Sequence, residues 1–463
     1  MIAPARRVSY RILLQISTSD AHSDELLRSP EVDALSAQDR NLATTLVMGT
    51  LRWQLALDVR IRAWLARPDA NLSPEAATAL RMGTYQLLAL ERVPAHAVIH
   101  DSVELVKHSR ERGAAGMVNA VLRKITAEPR WGGEGAPVAE TEESRRSPGA
   151  ALAARFAHPA WMVERWVRRY GIEAAEAICR WDQQPAGVTI RLAHEAAQPE
   201  GIETEPGIFL RPAQRVIGGD AARTRAFRSG EIRMQDEASQ LVAEIAAAAG
   251  PEAERALDAC AAPGGKTAIL AERLPEAEIT AVDVSRKRLA AMQRMLRRGP
   301  GHQAGVEKAS RMRFEAADAV VLRLTPRYGL ILCDVPCSGT GTIARNPEIR
   351  FRLDEVELRR QHKRQTAILR AALPGLVPGG RLVYSTCSLE PEENEQVVEE
   401  VLSSIAGFRL LPVATILDKL AGSGIVTAPG RERLRTATDA PFLRTLPGMH
   451  PCDGFFAAVL ERA

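Results

Sequence analysis

The C-terminal half of the chain limits the fold most. From about Ile232 onward, short apolar or β-branched runs (ArgAlaLeuAspAla, GluIleThrAlaValAsp, TyrGlyLeuIleLeuCysAsp, GlyArgLeuValTyrSerThr) alternate with stretches of helical pattern. Strands separated by crossover helices pair in parallel, so residues 231–463 are predicted to form a doubly wound, Rossmann-like α/β domain. Such sheets bind ligands beyond the carboxyl ends of their strands. The chemically distinctive residues of this half fall at those ends.

The rest of the chain divides by pattern. Residues 1–126 place apolar side chains at three- and four-residue spacing over Asp39–Leu51, Leu55–Leu65, Pro74–Leu90 and His96–His108, which predicts an all-α bundle. Ser36 is a candidate N-cap, and Ser73-Pro74 puts Pro at a first helical position. Residues 127–150 are too rich in Gly, Pro and charge to bury a core and read as a flexible linker. Residues 151–230 begin with an aromatic, basic helix (Trp161, Arg165, Trp166, Arg168, Arg169, Tyr170). Strand-like pieces at 188–192 and 207–211 follow, so a small α+β module is expected.

Composition excludes several classes. Hydrophobic residues at 46% and charged ones at 25% rule out wholesale disorder. No apolar run approaches the ~18 residues of a membrane-spanning helix, and MetIleAlaProAlaArgArg reads as the start of a domain, not a signal peptide. Six cysteines without a CxxC pair argue against a disulfide scaffold and a four-thiolate zinc site, and favour a reducing cytoplasm. Net charge is only +4, although 54 of the 61 basic residues are Arg. Arg suits bidentate phosphate contacts, but a codon bias explains the same count, so charge alone selects no partner.

The first strand of the α/β half leads into Asp258-Ala-Cys-Ala-Ala-Pro-Gly-Gly-Lys266-Thr267. Glycines between strand and helix let the backbone approach a ligand near a helix N-terminus. A P-loop would need Gly where Cys260 stands, and the dinucleotide pattern G-x-G-x-x-G is absent. What remains is a nucleoside-binding turn of the kind used by S-adenosylmethionine enzymes. Asp283, ending the second strand, is placed to accept from ribose hydroxyls, and Asp318, ending the predicted third strand, to meet an adenine amino group.

The fourth strand delivers Asp334-Val-Pro-Cys337-Ser-Gly-Thr-Gly, and the fifth Tyr384-Ser-Thr-Cys387-Ser. Two cysteines and a carboxylate thus converge on one rim. Cys179, Cys333 and Cys452 fit the ordinary pattern of small buried cysteines. Cys387, at a strand-to-helix turn, has the setting of a thiolate nucleophile. A methyl donor, a thiol and an acid together suit one chemistry. Carbon 5 of a pyrimidine becomes nucleophilic when a thiolate adds to carbon 6 and an acid hydrogen-bonds ring nitrogen 3.

Residues 232–463 resemble the catalytic domain of the Nol/Nop/Sun family of RNA cytosine-5 methyltransferases. The likeness rests on ArgMetGlnAspGluAlaSerGln, AspAlaCysAlaAlaProGlyGlyLysThr, AspValProCysSerGlyThrGly, ArgAsnProGlu (345–348), TyrSerThrCysSer and AspGlyPhePhe (453–456), in that order. SerAlaGlnAspArgAsnLeuAla, LeuValMetGlyThrLeuArg and ValAsnAlaValLeuArgLys resemble the NusB-like domain of the bacterial members that act on small-subunit ribosomal RNA, and HisProAlaTrpMetValGluArgTrp extends the match into the middle module. The resemblance implies Cys387 as nucleophile and Cys337 as the residue that assists product release. Cys260, Ala261, Ala262, Pro263, Gly264, Gly265, Lys266, Asp283, Asp318 and Asp334 would meet S-adenosylmethionine or the target base, and Asp334 also the cytosine edge. Val335, where the family often has Ala, departs from the pattern and would narrow the pocket.

A target cytosine must be unstacked or single-stranded to be reached. Candidate backbone contacts are Arg286, Lys287, Arg288, Arg294, Arg297 and Arg298 on one helix, with Arg345, Arg350 and Arg352; bases could stack on Trp161 or Trp166. The expected partner is small-subunit ribosomal RNA, with no membrane, no metal and a monomeric chain. Other readings are a non-catalytic RNA-binding or ribosome assembly factor, a cytosine-5 enzyme for another RNA, and a DNA cytosine methyltransferase using the Pro-Cys cysteine as nucleophile.

Overall fold

A computed structural model describes residues 2–131, 145–193, 199–297 and 311–463. Most of the expected linker, and Arg298, lie outside the described residues. These form two compact units: residues 1–185 with 343–352, and residues 186–342 with 353–463.

The first unit is helical. Pro4–Thr18, Ala37–Arg52, Gln54–Trp64, Pro74–Ala89, Ala95–Lys107 and Ala115–Ile125 surround a core that includes Leu46, Leu57, Leu80, Val98, Val118 and Leu122. Capping follows the sequence: Ser36 Oγ accepts the Asp39 N–H at 3.1 Å, and Ser73 Oγ accepts that of Ala76 with Pro74 in the first turn. Trp131 packs on this core, its N–H donating to Leu88 O. Pro148–Arg155, Ala160–Tyr170 and Ile172–Asp182 also belong to this unit. Trp166 lies in its interior, 1% exposed and edge-on to His158, so it offers no face for a base. Trp161 is half-buried.

Ten residues from the C-terminal half, Ile343–Arg352, complete the first unit. Glu348 accepts the N–H and hydroxyl of Ser23 at 2.8 and 2.9 Å. Arg350, 2% exposed, donates to the carbonyls of Arg52, Ala157 and Asp182. Arg352 donates to those of Ile16, Ser19 and Ala21. Arg350 and Arg352 were expected to contact RNA phosphates. Their guanidinium groups are instead spent on backbone carbonyls. Arg345 is half-buried and also engaged.

The second unit holds two sheets. In the smaller, β1 (Val188–Leu192), β2 (Ile202–Pro206), β3 (Ala213–Gly219) and β4 (Ile232–Met234) run antiparallel in the order β2-β3-β1-β4. The larger contains β5 (Arg255–Asp258), β6 (Glu278–Asp283), β7 (Met312–Ala316), β8 (Tyr328–Asp334), β9 (Leu376–Thr386), β10 (Phe408–Leu411), β11 (Thr438–Asp439), β12 (Phe442–Arg444) and β13 (Phe456–Arg462). Its order is β7-β6-β5-β8-β9-β13-β12-β11, with β10 also paired to β13; β7 through β9 are parallel, and the pairings of β13 with β9, β10 and β12 and of β12 with β11 are antiparallel. Successive strands β5, β6 and β7 run one way across the sheet, and β8 and β9 the other. The switch point therefore lies between β5 and β8, where open α/β sheets bind their ligands. No described helix is long and apolar enough to cross a membrane.

Candidate active site

The turn after β5 is shaped by one glycine. Gly264 has φ +106°, and a Cβ there would stand 2.5 Å from Met292 Cγ, so a side chain is excluded on both counts. It precedes the helix Gly265–Arg273, which has no side-chain cap. The first-turn amides of that helix are thus left to a ligand or water. Asp258, ending β5, is buried and accepts the Thr267 hydroxyl at 2.6 Å. Burial pushes its carboxyl up to about 7. Burial likewise pushes the Cys260 thiol up, with Asp258, Asp334 and Asp283 adding to the effect.

Asp283 ends β6 and is 6% exposed. Its carboxylate accepts the N–H of Ala262 at 3.2 Å and of Ser285 at 2.8 Å, which ties the β5 turn to the β6 terminus. Arg288 donates to Ala262 O at 2.7 Å and braces the same turn. Asp318 is exposed, and its carboxylate caps the short turn after it by accepting the Val320 N–H at 3.0 Å. Apolar Val284 and Val321, next to these two carboxylate segments, are 61% and 70% exposed.

At the other side of the switch point, Asp334 ends β8. Lys266 Nζ donates to its Oδ2 and Ser385 Oγ to its Oδ1, each at 2.8 Å. The Lys266 ammonium also sits 5.0 Å from the centre of the Phe455 ring. The β5 turn is thereby linked to β8 and β9. Parallel pairing of β8 with β9 sets Asp334 opposite Ser385. The two chains then leave the sheet side by side, and Cys337 Sγ lies 3.4 Å from Cys387 Sγ. Both cysteines are half-buried. Cys337 is pushed well up, first by its hydrogen bond to Cys387 and then by burial, and either sulfur of the pair can be the donor.

The loops are joined further along. Gly341 N–H donates to Cys387 O at 2.9 Å, and Gly454 N–H to Gly341 O at 2.8 Å. A Cβ on Gly341 would fall 2.2 Å from Gly454 O, so AspGlyPhePhe and the Cys337 loop demand glycine at this crossing. Glu393, fully buried, accepts from Ser338 and Ser388, the residues after the two cysteines. Sequence reasoning missed Glu393 and Ser385. Glu390 and Glu393 are both buried and Glu392 only partly, a difference that spacing does not show. Ser385 could have been found from alternation along β9, since it shares a face with Cys387. Among the described residues, no group of three or more His, Cys, Asp or Glu is placed to hold a metal ion.

Comparison with known proteins follows the same plan. Residues 246–461 match the model of 16S rRNA methyltransferase RsmB/F, residues 3–127 the NusB family, and residues 158–202 the ferredoxin-like domain of RsmF/B-like methyltransferases. The probable ribosomal RNA small subunit methyltransferase B of Bacillus subtilis is 32% identical over 99% of this chain and 98% of its own. The chain belongs to that family. The ribosomal RNA small subunit methyltransferase B of Xanthomonas campestris is also 32% identical, over 92% and 90%. Among solved structures, PH0851 superposes with a TM-score of 0.78 over 100% of this chain and 99% of its own; at 22% identity this likeness concerns the fold. The multidomain architecture expected from sequence, a NusB-like bundle, a small module and a Rossmann-like methyltransferase domain, is the one found.

Proposed function

We propose that this chain transfers the methyl group of S-adenosylmethionine to carbon 5 of a cytosine in small-subunit ribosomal RNA. The observation that carries the reading is the 3.4 Å approach of two thiols beyond adjacent parallel strands, with Asp334 at the end of one of them. The crevice suits the cofactor. Uncapped amides of a helix N-terminus, a cradle that a Gly264 side chain would fill, the Asp283 carboxylate and the open apolar side chains Val284 and Val321 match a charged, polar and flat ligand in turn. Cys260, Ala261, Ala262, Pro263, Gly264, Gly265 and Lys266 would form its floor, with Asp283 on the ribose and Asp318 on the adenine. When bound, S-adenosylmethionine supplies an electrophilic methyl group.

The chain's own residues do the rest. Cys387 adds as thiolate to carbon 6, forming a C–S bond and moving electron density to carbon 5. Asp334, oriented by Lys266 and Ser385, engages the polar edge of the cytosine. After methylation, the carbon 5 proton passes to water, the C–H pair forms the carbon 5–carbon 6 double bond, and the C–S pair leaves with the Cys387 sulfur, which restores the aromatic ring. Cys337 is within proton-transfer reach of the departing Cys387 sulfur and assists this release. The choice of Cys387, not Cys337, as the nucleophile follows the family resemblance. The helical domain (1–126) and the small module (151–230) would hold the RNA, with Arg286, Lys287, Arg294 and Arg297, all exposed, along its backbone.

Two substitutions test the assignment. Cys387→Ala should abolish methyl transfer while S-adenosylmethionine still binds in calorimetry. Cys337→Ala should accumulate a covalent protein–RNA species, seen as a slow band on a denaturing gel. A methyl-transferring Cys387→Ala protein, or the reverse pair of phenotypes, would refute the reading. A chain that binds no S-adenosylmethionine would point to an assembly factor.

A further inference from the structure

One buried carboxylate fastens the two cysteine loops to each other without touching either sulfur. Glu393 is 0% exposed and ends a short turn, Pro391–Glu393, beyond β9. Its Oε1 accepts the Ser338 N–H at 2.8 Å and the Gln365 amide at 3.0 Å. Its Oε2 accepts the hydroxyls of both Ser338 and Ser388. Ser338 directly follows Cys337, and Ser388 directly follows Cys387. Ser388 Oγ in turn accepts the Glu390 N–H at 3.0 Å, so its hydroxyl proton is committed to the carboxylate.

These four donors are all neutral. Burial accordingly pushes the Glu393 carboxyl up, against the hydrogen bonds that lower it. An apolar residue of similar volume would fill the site without that desolvation cost. What a carboxylate adds is bidentate geometry, with one oxygen shared by two hydroxyls and the other fixing a backbone N–H. Each loop is anchored one residue past its cysteine to the same rigid group, so the spacing of the sulfurs follows from the carboxylate.

We propose that Glu393 is a positioning residue that sets the separation of the Cys337 and Cys387 sulfurs, and through it the rate at which the covalent adduct is resolved. The second half of this statement rests on the two-thiol reading of the function; the first does not. Proton transfer between the sulfurs requires contact distance, and a displacement of about 1 Å in such a site can cost up to roughly a hundredfold in rate. The Gly341–Cys387 and Leu389–Thr340 hydrogen bonds do not involve Glu393, so altering it should change the spacing of the sulfurs without unfolding the loops.

The test uses the full chain and a thiol oxidant, diamide. Two adjacent thiols give up two protons and two electrons, the S–S bond forms, and the azo bond of diamide is reduced to a hydrazine. The 337–387 disulfide is followed by peptide mapping in wild type, Glu393→Ala, Glu393→Gln and Ser338→Ala; the last removes one tie without emptying a buried site. Glu393→Ala and Ser338→Ala should cross-link about tenfold more slowly than wild type or worse, with Glu393→Gln in between because its amide keeps one acceptor oxygen. S-adenosylmethionine affinity in calorimetry should stay at the wild-type value, which a collapsed site would not allow. Wild-type cross-linking rates in Glu393→Ala and Ser338→Ala would overturn the clamp. Slow cross-linking with adduct resolution at the wild-type rate would leave the clamp standing and overturn its link to catalysis.

Discussion

Replacing Arg350 separates two roles that its sequence context leaves open. A phosphate contact and a buried anchor respond to different measurements. Arg350 makes three hydrogen bonds to carbonyls: 2.8 Å to Arg52, 3.2 Å to Asp182 and 3.3 Å to Ala157. Hydrogen bonds from a charged donor contribute about 1.5–3 kcal/mol each. Burial opposes this, lowering the guanidinium from 12.5 to about 10, a cost of roughly 3 kcal/mol at 1.36 kcal/mol per pH unit. Arg350→Ala removes both, leaves carbonyls without their donor and opens a cavity. The net loss should be about 3–5 kcal/mol.

The six tryptophans provide the assay, because all of them (Trp53, Trp64, Trp131, Trp161, Trp166, Trp181) lie in the first unit. Urea unfolding followed by their fluorescence reports that unit selectively. With a slope of about 2 kcal/mol per molar urea, the midpoint should fall by about 1.5–2.5 M. The salt dependence of RNA binding, measured under folding conditions, should keep its slope. An unchanged midpoint, together with a slope reduced by about one unit as for a lost phosphate contact, would refute the buried-anchor account.

Other outcomes follow from the site. Gly264→Ala forces a side chain to φ +106° and into Met292; the strain of about 1–3 kcal/mol should lower the thermal midpoint, and calorimetry should show roughly tenfold or greater weakening of S-adenosylmethionine binding. Asp258→Asn should flatten part of the pH dependence of stability. The folded-state carboxyl titrates near 7 against an ordinary value of 3.8, so the neutral form's contribution is full below about pH 4 and is lost as pH rises through 7. Relative to the Asn variant, wild type should lose up to roughly 4 kcal/mol across that window by circular dichroism-monitored urea unfolding; a constant difference would show that Asp258 is not buried as described. Ser385→Ala leaves Asp334 with the Lys266 bond alone and should lower the methylation rate by about tenfold or more without changing S-adenosylmethionine affinity, both read in single-turnover assays with tritiated donor.

The parallel sheet was legible because β5, β6, β8 and β9 are apolar runs that end in conspicuous polar residues, and both faces of such a strand are buried. Ser36 and Ser73 were legible as caps because capping is local. Arg350 was not. Its partners at Arg52, Ala157 and Asp182 are remote in sequence, and a run containing Arg345, Arg350 and Arg352 reads as a charged surface when those partners are unknown. Trp166 failed likewise: an amphipathic helix shows that it has an apolar face, but only tertiary packing places that face against His158. Glu393 was hidden because inward-facing and outward-facing glutamates are identical in sequence; the pull on it comes from two serines that the fold brings together.

The most direct measurement is to identify the atom that holds the RNA. Cys337→Ala protein, incubated with S-adenosylmethionine and unmodified small-subunit ribosomal RNA, is denatured, digested with protease and nuclease, and read by tandem mass spectrometry. A peptide carrying methylated cytidine on Cys387 is the predicted result. The same mass on another residue, or no nucleotide on any cysteine while methyl transfer proceeds, would contradict the account.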